Sequence, residues 1–186
     1  MNSIHDSTST SDAPATIHGF DVLDACHRQT LFALGKLSAL ISRLSTVGPD
    51  ADARVLASEV VGHFSTTARQ HHLDEEQHVF PRLAASTDPD VVQAVLRLRQ
   101  DHGWLEQDWM ELLPQLDAVA HGYVGFNLDE LRQGAAVFTA LSHDHIALEE
   151  SCIYPQARAR LGPGEDSAMG REMAARRSAR QCQPSR

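Results

Sequence analysis

Two stretches of this 186-residue chain carry the same pattern of residues able to bind a cation: 71–81 reads HHLDEEQHVFP and 145–155 reads HIALEESCIYP. Both fit H-x-x-x-E-E-x-x-x-(aromatic)-P in one register, 74 residues apart. On a helix, side chains four apart lie one turn along the axis and about 40° apart in projection, so His71 and Glu75 can reach a common point, as can His145 and Glu149. His27 lies 44 residues before His71 and His102 lies 43 before His145, so each half of the chain adds one upstream histidine. The chain therefore reads as two copies of one helical hairpin, each giving one His and one H-x-x-x-E pair. Enclosing four imidazoles and two carboxylates without partners is costly, and a cation removes that cost. Six protein ligands exceed what one tetrahedral zinc uses. Two carboxylates on facing helices can instead bridge a pair of metals, and imidazole with carboxylate suits iron, manganese or zinc.

Apolar spacings of three and four define the elements that must carry these residues. A first helix is expected over Asp21–Val47, with Asp21 as N-cap and Gly48-Pro49 as stop. A second runs from Asp50 or Asp52 to about Pro81. A third starts at Asp88-Pro89 and continues to about His121, with Pro114 expected to kink or shorten it. A fourth runs from an Asn127 cap to about Arg160, ended by LGPG. Short connections between helices of 25–30 residues predict an all-α, antiparallel up-down-up-down four-helix bundle. Residues 1–20 read as a disordered leader, 21–161 as the bundle and 162–186 as an Arg-rich tail, either unpacked or forming a short helix around Glu165–Arg180.

The 25 Asp+Glu against 16 Lys+Arg give a formal charge of -9, which argues against broad nucleic-acid or anionic-membrane binding. No apolar run reaches the length of a membrane span, and the N-terminal residues lack the character of a secretory signal. Three scattered cysteines, Cys26, Cys152 and Cys182, make neither a disulfide framework nor a metal knuckle, which predicts a reduced, cytoplasmic protein.

Around the six residues several neighbours compete. His72 and Glu76 form a second register, disfavoured because the other copy has Ile146 where His72 stands; His72 is kept as an extra weak ligand. Glu76 and Glu150 are read as solvated or as neighbours of the ligands, and Glu76→Ala is expected to change little. Glu106 is read as a surface ion pair or an added ligand. His78 and Cys152 are equivalent positions just beyond the ligands. Phe64 and Phe138 should wall the site, whereas Tyr154 and Phe80 read as packing residues.

The doubled motif with one upstream histidine per half resembles the hemerythrin-like (HHE cation-binding) family over about residues 21–161. That resemblance implies a non-haem di-iron centre, two iron ions with an oxo or hydroxo bridge. Its ligands would be His27, His71, Glu75, His102, His145 and Glu149, with the glutamates bridging. Animal hemerythrins carry a second histidine one turn away on the third helix; here Leu98 and Glu106 stand one turn either side of His102, which points away from simple oxygen carriage. The leader lacks the Cys-containing region of the family's iron–sulfur repair proteins. The expected function is binding or sensing of O2, NO or peroxide. The alternatives are a di-iron enzyme (peroxide disproportionation, NO reduction or iron–sulfur repair) and an iron- or oxygen-responsive regulator.

Overall fold

The structure, a computed structural model, describes residues 16–181; most of the expected leader lies outside the described residues. Among the described residues the regular structure is all helical, without strands. Helix α1 (Gly19–Thr46) begins two residues before the expected cap. Its first turn is closed from a distance: the Asp166 carboxylate accepts from the Phe20 backbone N–H at 3.2 Å and from His18 Nδ1 at 3.0 Å. This satisfies a donor that the helix start leaves orphaned, and Phe20 becomes core rather than leader.

The second rod is α2 (Ala51–Gly62), a π-helical segment His63–Ala68 and α3 (Arg69–His78), followed by the short α4 (Phe80–Leu83). Asp50 caps it by accepting from Ala53 N–H at 3.0 Å. Helix α5 (Pro89–His121) is capped by Asp88 and closed by Gly122 in the left-handed region at φ 73°. Pro114 does not end it. The proline is exposed, and the carbonyl it leaves without a donor belongs to Met110, whose own residue is 66% exposed, so water can take that place. The fourth rod is α6 (Leu128–Leu148), a second π-helical segment Glu149–Ile153 and α7 (Tyr154–Arg158). Segments of this type are rare and concentrate at functional sites.

The Arg-rich region is a fifth helix, α8 (Glu165–Gln181), packed onto α1. Met169 and Met173 enter the core. The approach is close enough to require glycine: a Cβ on Gly170 would lie 2.3 Å from the Ile17 carbonyl oxygen. Two of its arginines also close over an acid: Arg176 and Arg177 reach the buried Asp74 at 2.9 and 2.7 Å.

The apolar residues form two clusters. One holds Leu34, Val60, Phe64, Leu105, Trp109 and Phe138; the other holds Phe20, Leu23, Val79, Phe80, Leu98, Ile153 and Met173. On α1, His27 lies between Leu23 of one cluster and Ala33 of the other, and on α5 His102 lies between Leu98 and Leu105. On the remaining rods the H-x-x-x-E pairs lie between Phe64 and Val79 and between Phe138 and Ile153, in the opposite order of clusters. A polar layer is thus sandwiched between two dry ones.

Candidate metal centre

All six sequence-selected residues are in that layer, each at most 6% exposed. They form two overlapping sets. One ligand atom from each of His27, His71, Glu75 and Glu149 lies within 4.8 Å of the others, and the same holds for Glu75, His102, His145 and Glu149. Both glutamates belong to both sets. Glu75 turns Oε1 toward His71 Nε2 (3.4 Å) and Oε2 toward His102 Nε2 (3.4 Å). Glu149 turns Oε2 toward His27 Nε2 (3.1 Å) and Oε1 toward His145 Nε2 (3.1 Å). Each carboxylate therefore offers one oxygen to each set.

Hydrogen bonding tests whether a cation suits this arrangement. Both ring nitrogens of His71 and of His145, Nε2 of His102, Oε2 of Glu75 and Oε1 of Glu149 are buried without a hydrogen-bond partner. So many orphaned polar atoms at one place are expensive for a folded chain. One ring nitrogen of each histidine and the carboxylate oxygens converge on shared points, and divalent cations there would use lone pairs that the protein leaves unsatisfied. The residues present fit a metal site.

A second ring of groups orients the histidines. His27 Nδ1 donates to Glu150 Oε1 and His102 Nδ1 donates to Glu76 Oε1, both at 2.9 Å, which leaves each Nε2 free to face the centre. Asp101, 1% exposed, lies 3.8 Å from His145 Nδ1. The expectation that Glu76→Ala changes little is therefore corrected: Glu76 is half-exposed, but it holds a ring. Glu75 and not Glu76 points inward. The signal for the second glutamate was in the sequence, where both copies repeat it at the same position.

Tyr154 also departs from its reading as a packing residue. Its hydroxyl donates to Glu75 Oε1 at 2.5 Å and lies 3.1 Å from His27 Nε2, with its ring stacked on that imidazole at 5.2 Å. The equivalent Phe80 stacks on His102 at 5.4 Å without a hydroxyl to offer. His72 is half-buried, stacked on His102 at 4.0 Å, and its ligand atom falls within 4.8 Å of those of His102 and His145. Glu106 forms an exposed ion pair with Arg69 at 3.4 Å. His78 accepts from Arg176 of α8 at 2.7 Å and turns away from the layer, while Cys152 packs against the second apolar cluster.

Electrostatically the two carboxylates divide their roles. Burial, reinforced by the charge of Glu149, pushes the Glu75 carboxyl up to about 7. Burial opposes ionisation of Glu149 too, but contact with His145 and His27 holds it well below the usual carboxylate range. Burial also disfavours charge on His145, and Glu149 with Asp101 overcomes it, to about 10. His71 is pushed well down by burial and by the neighbouring imidazoles. Charge compensation without a metal thus falls on a few histidines.

Beside the layer a cavity of about 570 Å³ reaches His71, His102 and His145 from one side and the Phe64–Trp109–Phe138 cluster from the other.

Residues 18–157 match the model of the hemerythrin HHE cation binding domain, three-quarters of the chain and all six clustered residues. The chain belongs to the hemerythrin HHE cation-binding domain family. The chain is also similar to an uncharacterized protein of Haemophilus influenzae, 27% identical over 166 residues that cover 87% of this chain and 91% of the relative. An HHE domain binds metal cations, and the His/Glu sets of this one are able to hold them. The matched span stops before α8, so the helix that closes over Asp74 lies outside the HHE domain match. Among the described residues no helix is long and apolar enough to cross a membrane.

Proposed function

We propose that this HHE domain is an up-down-up-down four-helix bundle holding two iron ions and that it binds O2, NO or peroxide in the cytoplasm. The observation that carries the reading is the sharing of Glu75 and Glu149 between two four-residue sets. A pair of iron ions supplies electrons and exchangeable coordination positions for a small oxygen or nitrogen ligand. The chain's own residues do the rest. Four neutral imidazoles against two carboxylates leave fewer anions than a ferritin-like site with four carboxylates, which favours the reduced metals. Tyr154 fixes one oxygen of Glu75, Glu76 and Glu150 fix two imidazoles, and Phe64 and Phe138 form an apolar wall beside the layer.

The test is metal analysis and electronic spectroscopy of the purified chain, followed by O2 addition to the anaerobic reduced protein. Two irons per chain and a reversible spectral change support binding. Rapid irreversible oxidation with turnover of peroxide would replace binding by enzymology. One metal per chain, or none, would overturn the reading.

A metal-responsive regulator is the second reading, favoured by α8: Arg176 and Arg177 hold Asp74, the residue next to Glu75. Limited proteolysis with and without metal addresses it, and unchanged cleavage within 165–181 would count against it.

A further inference from the structure

The cavity beside the His/Glu layer is much larger than a diatomic ligand requires. Its volume of about 570 Å³ falls in the range of sites that enclose organic molecules, roughly 300–1,000 Å³. One wall is aromatic: the Phe64 ring lies 5.3 Å from Trp109 and 4.9 Å from Phe138, and Leu105 and Ile146 continue the apolar surface. Two of the hydroxyls that line it, those of Thr30 and Ser142, are engaged within the fold, while Ser65, Arg69 and Glu106 stand at its exposed side. Thr30 Oγ1 donates to His63 Nε2 at 3.0 Å, and Ser142 Oγ donates to the Phe138 carbonyl at 2.7 Å. The opposite end is different in kind, because the imidazoles of His71, His72, His102 and His145 line it, with the His/Glu layer directly behind them. One wall of the chamber is apolar and another is formed by imidazoles of the polar layer.

We propose that this chamber admits an organic hydroperoxide, whose apolar body of about ten non-hydrogen atoms lies on the Phe64–Trp109–Phe138 wall and whose peroxide end faces the His/Glu layer. The inference rests on the proposed function and narrows its ligand from any peroxide to an organic one. Hydrogen peroxide or O2 would leave the aromatic wall without a partner and would gain no selectivity from it. An apolar body gains about fourfold in affinity for each methylene-sized group it buries there.

The probe is 2-phenyl-2-propanol, which has the size and shape of such a ligand without the reactive bond. It is titrated into the full chain, iron-loaded and metal-stripped, and followed by tryptophan emission and by saturation transfer from the protein to the probe. Saturable binding to both forms is expected, with glycerol giving none. Ala68→Phe and Gly103→Phe narrow the chamber; a Cβ on Gly103 meets nothing within 4 Å, so the second variant has room to fold. Each is expected to weaken the probe at least tenfold while azide still perturbs the iron-loaded spectrum. No saturable response in the parent chain, or undiminished binding in both variants, overturns the proposal. A chain that binds two irons and azide but not the alcohol sinks the organic ligand alone. A chain that binds the alcohol but takes up no iron sinks the proposed function, and with it the peroxide end of the ligand.

Discussion

Glu76 and Tyr154 show how a centre of this kind depends on residues that do not face its middle. Glu76 is half-exposed, yet it accepts from His102 Nδ1 and so decides which imidazole nitrogen is presented inward. Glu76→Ala is expected to lower metal affinity about 10–100-fold with the fold intact, checked by chelator competition. Wild-type affinity in that variant would show that His102 needs no such support. Tyr154→Phe keeps the ring on His27 and removes the donor to Glu75. It is expected to cost about 1 kcal/mol in denaturant unfolding of the metal-free chain and to shift the electronic spectrum of the loaded one.

At the scale of the element, α8 and the π-helical segments are the informative parts. Asp74 is completely buried and held by Gln70 of its own rod and by Arg176 and Arg177 of α8. Asp74→Ala is expected to destabilise by about 3 kcal/mol, because a buried pair broken from one side leaves charge uncompensated, and to expose 165–181 to protease. Equal protease resistance in parent and variant would mean that Met169 and Met173 hold α8 without the ion pairs. The first π-helical segment begins with His63, which accepts from Thr30 and packs edge-on against Phe64. Burial, then the charge of Lys36, depresses its pKa to about 4. The native state therefore refuses a proton that the unfolded chain takes up below about 6.5. Stability from this group is complete above that pH and lost as pH falls toward 4. Urea unfolding of the metal-free chain at pH 7 and pH 4.5 should show a smaller loss on acidification in His63→Gln than in the parent.

For the molecule as a whole, a polar layer enclosed by two apolar clusters makes metal binding part of folding. Each cation held at 100 times its dissociation constant contributes about 2.7 kcal/mol, so removal of a pair is expected to lower Tm by about 10–20 °C. Amide exchange should rise around the layer before it rises in the outer core, and an unchanged Tm would show that the layer is stable without cations. The H-x-x-x-E pairs and the caps at Asp88 and Asn127 were legible in the amino-acid order, because helix geometry ties residues three and four apart to one face. The repeat extended that local information to His27 and His102. Other features depend on rods that cross far from one another in sequence. Asp166 caps α1 from 146 residues away, Tyr154 meets His27 at a separation of 127, and Arg177 meets Asp74 on another rod. The volume left between Phe64, Trp109 and Phe138 has the same origin. Spacing along one helix says which way a side chain points; only the packing of several helices says what it meets there.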